Sequence, residues 1–122
     1  MIDGRTDRRA NSRDDPIDDD VFVAFRNRHR RYVLYYLSAH EAAPVDELAD
    51  VLAGWESLES GFATRDDWAA LRATLRHRHL PLLEDAGLIE RVDGRVTRTD
   101  WDEPVPTFVR RGIERELESR RS

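Results

Sequence analysis

Residues His77 to Val96 read HRHLPLLEDAGLIERVDGRV. Asp93-Gly94 is the favoured pair for a two-residue type I′ turn, and it sits between two arms rich in Val, Ile and Thr. Such a turn sets Val92 opposite Arg95, Arg91 opposite Val96 and Ile89 opposite Arg98. A hairpin over about 88–99 follows. Gly87 ends the helix that precedes it, because a glycine just past a helix adopts the left-handed conformation without strain. Counted back to Trp68 at 100° per residue, Leu71, Leu75, His79, Leu82 and Ala86 gather within about 60° of one line. Ala70, Ala73, Thr74, His77 and Pro81 fall on the far side. The spacing predicts a helix over about 66–86.

Four further helices fit the rest of the chain. Asp18, Asp19 and Asp20 complement the start of a short helix over about 18–25. Asn27 is the expected N-cap of a second helix, 28–39, with Tyr32, Val33, Tyr36 and Leu37 as its core stripe. Ala42 to Pro44 read as a turn. A third helix begins at Val45, buries Val45, Leu48, Ala49 and Leu52, and ends at Gly54. WESLESGFATR has no clean period and reads as a loop or a fragment of helix. At the other end Val105, Phe108, Val109, Ile113 and Leu117 form one stripe of a terminal helix within 101–122. The fold class is mainly α with a small β-hairpin, in the order helix-helix-helix-helix-hairpin-helix. That is the order of a winged helix-turn-helix over 18–100, with 66–86 as recognition helix. Residues 1–17 are polar, lack periodicity and are expected to be a disordered tail.

Composition narrows the function classes. Cysteine is absent, which excludes disulfides and thiolate chemistry. All 20 basic residues are Arg, against 25 acids of which 15 are Asp. A Lys-free, Asp-rich chain has the composition expected of a salt-loving organism. No run reaches the roughly 18 apolar residues of a membrane span, and the first residues hold no apolar leader, so a cytoplasmic protein is expected. The net charge of −5 weighs against nucleic acid, but its distribution is uneven. Residues 21–40 carry four Arg and no acid, residues 41–70 eight acids and one Arg. No phosphate-binding loop, serine-nucleophile or zinc-protease motif occurs, and no enzymatic function is expected. His77 and His79 stand about 200° apart on a helix and do not share an ion. No metal and no cofactor are expected.

His79, Leu80, Leu83, Ala86, Gly87, Leu88 and Ile89 fill the pattern H-L-x-x-L-x-x-A-G-L-[VI]. This segment resembles the recognition-helix-to-wing region of winged helix-turn-helix repressors of the ArsR and MarR kind. Arg30 to Leu37 (RRYVLYYL) and His77 to Leu83 (HRHLPLL) also resemble haloarchaeal winged-helix domains of uncharacterised function. The resemblance covers roughly residues 18–100. It implies double-stranded DNA as partner, and a homodimer joined through the terminal helices. Two departures stand out. His77 replaces the usual serine, and Pro81 lies inside the helix, where it removes an N–H and predicts a kink or a free carbonyl.

The candidate DNA contacts are Thr74, His77 and Arg78 on the recognition helix, flanked by Arg72 and Arg76, because arginine reads guanine with two parallel bonds. Arg91, Arg95 and Arg98 are the candidates on the wing, and Arg28, Arg30 and Arg31 are candidate backbone clamps. Ordinary surface arginines paired with acids are the competing reading. His79 is expected to be a buried, hydrogen-bonded histidine. The expected dimer surface is Phe22 and Phe25 with Val105, Phe108, Val109, Ile113 and Leu117, against packing of that stripe on the chain's own core. The alternative function is a protein-interaction module with an acidic face over 46–59, carried by Asp46, Glu47, Asp50, Glu56 and Glu59.

Overall fold

Asn27 separates two helical stretches and starts the second. Its side-chain oxygen accepts from the amides of His29 at 2.8 Å and Arg30 at 3.2 Å, satisfying donors that a helix start leaves unpaired. The computed structural model of the chain describes residues 19–61 and 64–121. The expected tail over 1–17 lies outside them. Helix α1 is Asp19–Arg26 and α2 is Arg28–His40. Tyr32, Val33, Leu34, Tyr35 and Leu37 of α2 are all buried. The helix is covered on most of its circumference, more than the expected stripe.

Ala42–Pro44 is a strand, β1, and not the expected turn. It pairs antiparallel with β3 (Arg95–Arg98), Ala43 opposite Val96, while β2 (Ile89–Val92) covers the other edge of β3. An open strand edge leaves a row of N–H and C=O groups unpaired, and three residues of low strand propensity are enough to close this one. The β2–β3 register is the expected one, with Ile89, Arg91 and Val92 opposite Arg98, Val96 and Arg95. Asp93 and Gly94 both have positive φ, as a type I′ turn requires.

Helix α3, Val45–Ser60, passes through Gly54 and stops at Gly61, whose φ is +100°. A mid-helix glycine costs about 1 kcal/mol relative to alanine and does not end a helix that has packing on both sides of it. Here Leu48, Ala49 and Leu52 are fully buried before Gly54, and Trp55 stands edge-on to Tyr32 at 5.0 Å after it. Thr64 and Asp67 form a reciprocal capping box, each side chain accepting from the other's amide at 3.0 Å.

The next helical run has three parts without a break: α4 (Arg65–Thr74), a π turn (Leu75–His79) and α5 (Leu80–Asp85). Within the π turn the Leu80 amide donates to the Leu75 carbonyl, five residues back. The extra residue turns the following segment back by about 100°. Leu75, Leu80 and Leu83 are therefore all fully buried, although even spacing from Trp68 puts Leu80 off the core face. Leu82 and Ala86, which that spacing puts at its centre, are only half-buried. Pro81, where a kink or a free carbonyl is expected, follows the π turn. The proline falls in the first turn of α5, where a missing N–H is tolerated. Gly87 then closes a Schellman motif: its amide donates to Glu84 O at 2.9 Å and the Leu88 amide to Leu83 O at 3.0 Å.

Helix α6, Val105–Arg121, packs on α2. At Gly112 a Cβ would stand 2.6 and 2.8 Å from Cζ and Cε1 of Tyr35, with the hydroxyl closer still. Gly54 faces open space. Gly54→Ala is expected to raise stability by up to about 1 kcal/mol. Gly112→Ala carries the same propensity gain but displaces a buried ring, and a net loss of about 1–2 kcal/mol is expected. Urea unfolding of the two variants checks the opposite signs. A gain at both positions would mean that α6 is not seated on Tyr35.

Candidate nucleic-acid interface

The arginines of RNRHRR face inward before they face anything else. A helix leaves its last four carbonyls without intrahelical partners. In α1 these belong to Val23, Ala24, Phe25 and Arg26, and all four accept from α2 guanidiniums. Arg30 donates to Val23 O at 3.0 Å and Ala24 O at 3.3 Å. Arg31 donates to Phe25 O at 3.0 Å and Arg26 O at 3.1 Å. Cations at a helix C-terminus also complement its dipole. Arg28 donates to the Tyr32 hydroxyl at 3.0 Å. Arg30, 8% exposed, is closed to a phosphate, and Arg31 is engaged at the end of α1.

His79 is 2% exposed and behaves as the sequence predicts. Its Nδ1 accepts from Arg30 Nη1 at 3.2 Å, so the ring is neutral with its proton on Nε2. Burial, then the charges of Arg30, His29 and Arg78, lower its pKa from 6.5 to about 4. Burial likewise lowers Arg30. His29 is edge-on to His79 at 5.7 Å and bonds Glu56 of α3 at 2.6 Å. Successive residues 29, 30 and 31 thus tie α2 to α3, to the π turn and to α1.

The π turn presents the opposite side to solvent. Arg76, His77 and Arg78 are exposed and make no ion pair among the described residues. Arg91 of β2 reaches across to this turn, donating to the Arg76 carbonyl at 3.4 Å and to Glu84 at 2.8 Å. It joins hairpin and helix as a strut. Arg95 is exposed near the hairpin tip and makes no ion pair among the described residues. Arg91 thereby joins Arg76, His77 and Arg78 at the π turn, whereas Arg95, opposite Val92, lies on the other face of the hairpin.

Three other candidates lie elsewhere. Arg72 pairs with Asp46 of α3. The Thr74 hydroxyl bonds back to Ala70 O at 2.9 Å. Arg98 alternates onto the strand face that carries buried Val96, and its guanidinium covers the Trp101 ring at 5.3 Å from the centroid. It stands at the root of the hairpin, not at its tip. The described acids of the 46–59 face are engaged as well: Asp46 with Arg72, Glu47 with the Tyr36 hydroxyl, Asp50 with the Trp68 indole at 2.7 Å and Glu56 with His29. The Glu59 side chain lies outside the described residues.

The expected dimer stripe is divided. Val105 and Val109 are buried in the chain's own core, and Phe108 stands edge-on to Phe25 at 5.4 Å. Neither valine is free to meet a partner. Phe22 stays exposed, Ile113 is half-buried and Leu117 is 55% exposed. Beside Ile113 and Leu117 lies an apolar groove of about 320 Å³, walled by Tyr35, Tyr36 and Trp55 and flanked by Leu58, itself 70% exposed. Sequence periodicity gave no sign of this groove, because it forms where three helices meet. Arg30, by contrast, carried a readable signal. Positions 30, 33, 34 and 37 have core spacing.

Residues 22–98 match a family described as a domain of unknown function, DUF7344. The chain belongs to this family. The DUF7344 match begins in α1 and ends with β3, so it contains the capped α1–α2 corner, the π turn and the hairpin, and leaves α6 outside. Neither a curated protein nor a solved structure matches the chain. No helix among the described residues is long and apolar enough to cross a membrane.

Proposed function

We propose that this chain is a winged helix-turn-helix regulator of transcription, cytoplasmic and without enzymatic activity, that binds double-stranded DNA. The observation that carries the reading is the exposed set Arg76, His77 and Arg78 on the π turn, without an ion pair among the described residues, beside the hairpin bearing Arg91 and Arg95. In a chain of net charge −5 most other candidate arginines are held by acids, carbonyls or rings. The π turn and α5 enter the major groove, and Arg95 meets the backbone or minor groove. Phosphate contacts weaken steeply with salt, so base edges supply the affinity that survives at molar concentration.

Selection from random duplexes at moderate and molar salt tests this. An enriched motif is expected at both. In Arg76→Ala/His77→Ala/Arg78→Ala its affinity falls by at least about 100-fold, from the loss of base contacts worth roughly 1–3 kcal/mol each. Since all three side chains are exposed, melting should not change. No motif at either salt from a folded protein would overturn the reading.

The chain acts as a homodimer, with Leu117 and Leu58 of each copy seated at the groove beside α6. A protruding side chain next to a hollow is self-complementary about a two-fold axis. Leu117→Glu is expected to yield monomers in sedimentation. An unchanged dimer would exclude this surface.

A further inference from the structure

We propose that Arg30 and His79 are positioning residues: Arg30, anchored on α1, holds the π turn through His79 and so sets how Arg76, His77 and Arg78 are presented. What they are presented to rests on the DNA reading above. The holding itself does not.

The geometry is direct. One planar guanidinium makes three donations, two to carbonyls of the last turn of α1 and one to the imidazole of the π turn. No carboxylate pairs with Arg30 among the described residues. A buried arginine without a counter-ion is costly, and a rigid fork serving three fixed acceptors offsets that cost only if all three stay in place. The reading turn and the α1 terminus are therefore held in one relative position. His79 immediately follows Arg78, and its ring points inward while Arg76, His77 and Arg78 point outward. A shift of the imidazole moves the backbone of the turn. Leu75 and Leu80 anchor both ends of the turn in the core, and their burial favours the five-residue spacing, but apolar packing is non-directional and does not fix how the backbone between them is oriented. The Arg30–His79 bond is directional. A side chain that never touches DNA would in this way determine sequence preference.

The experiment compares the full chain with His79→Leu, which removes the acceptor at similar volume, and His79→Asn, whose side-chain oxygen falls near the lost Nδ1. If the leucine variant does not fold, His79→Gln, with its acceptor one bond further out, takes its place. Two quantities are read: amide hydrogen exchange at residues 75–80 without DNA, and affinity for the enriched duplex against a random duplex, with the salt dependence of each. His79→Leu should speed exchange at 75–80 at least tenfold over the rest of the chain. It should weaken the enriched duplex at least tenfold, leaving random-duplex affinity and salt slope unchanged, and His79→Asn should restore both. Unchanged exchange at 75–80 overturns the proposal. So does a parallel loss of both affinities tracking a fall in melting temperature, which marks a merely structural role. If the wild type enriches no duplex, the DNA reading fails, and the exchange result alone decides whether Arg30 and His79 hold the turn.

Discussion

Arg30→Met is expected to lower the unfolding free energy by about 3 kcal/mol. Two effects oppose each other. Removing a buried guanidinium that has no carboxylate partner relieves its desolvation cost, and replacing a whole buried ionic network with apolar groups can be neutral or stabilising. Here only one side of the network can be replaced. The partners are Val23 O, Ala24 O and His79 Nδ1, and two of them are backbone. Each acceptor left unsatisfied costs roughly 1–3 kcal/mol. The losses exceed the relief. Arg30→Lys should recover a minority of the loss, since one ammonium cannot reach three acceptors fixed by a fork. Urea unfolding at pH 7 measures both. A change under 1 kcal/mol in Arg30→Met would mean that water satisfies the end of α1 and that the guanidinium is not what joins the two helices.

The protein should also lose stability in mild acid through His79. Its folded pKa, about 4, lies below the unfolded value of 6.5. Between these values the unfolded chain binds the proton and the folded chain does not, so stability rises with pH across the window. The contribution is complete above pH 6.5, falls as pH drops toward 4, and is constant below it. At 1.36 kcal/mol per pH unit it amounts to roughly 3 kcal/mol. The cause is local: a second proton on the ring would break the bond from Arg30 and add a charge beside Arg30, His29 and Arg78. Unfolding measured between pH 4.5 and 7 should show the slope in the wild type and lose most of it in His79→Asn, leaving the carboxylates' share. An equal slope in both would remove His79 as the cause.

The candidate arginines illustrate how far residue type alone goes. Arg72, Arg76, Arg78, Arg91, Arg95 and Arg98 look alike in the sequence. Their neighbours across the fold separate them: Asp46 takes Arg72, Glu84 and the Arg76 carbonyl take Arg91, and Trp101 takes Arg98. Those partners lie 7 to 26 residues away for the hydrogen-bonded pairs. A guanidinium on a six-atom reach pairs with whatever the fold brings near it, and no local pattern encodes that.

What the sequence by itself determined are the features whose causes lie within a few residues. Asn27 caps α2, Gly87 stops α5 in a Schellman turn, Asp93-Gly94 sets the hairpin register to the residue, and His79 is buried by its place on an apolar face. Each follows from backbone conformation or helical period. Only the tertiary structure decided that Ala42–Pro44 is a strand, since its pairing partner is β3, more than fifty residues on. It decided that α3 outlasts Gly54, because Trp55 packs on Tyr32 and outweighs the glycine. It also decided that a π turn brings Leu80 and Leu83 into the core, and that Arg30 closes α1 when its composition suggested a surface. In each of these cases a weak local preference yields to burial and hydrogen bonding between elements, and the size of those terms is known only once the elements meet.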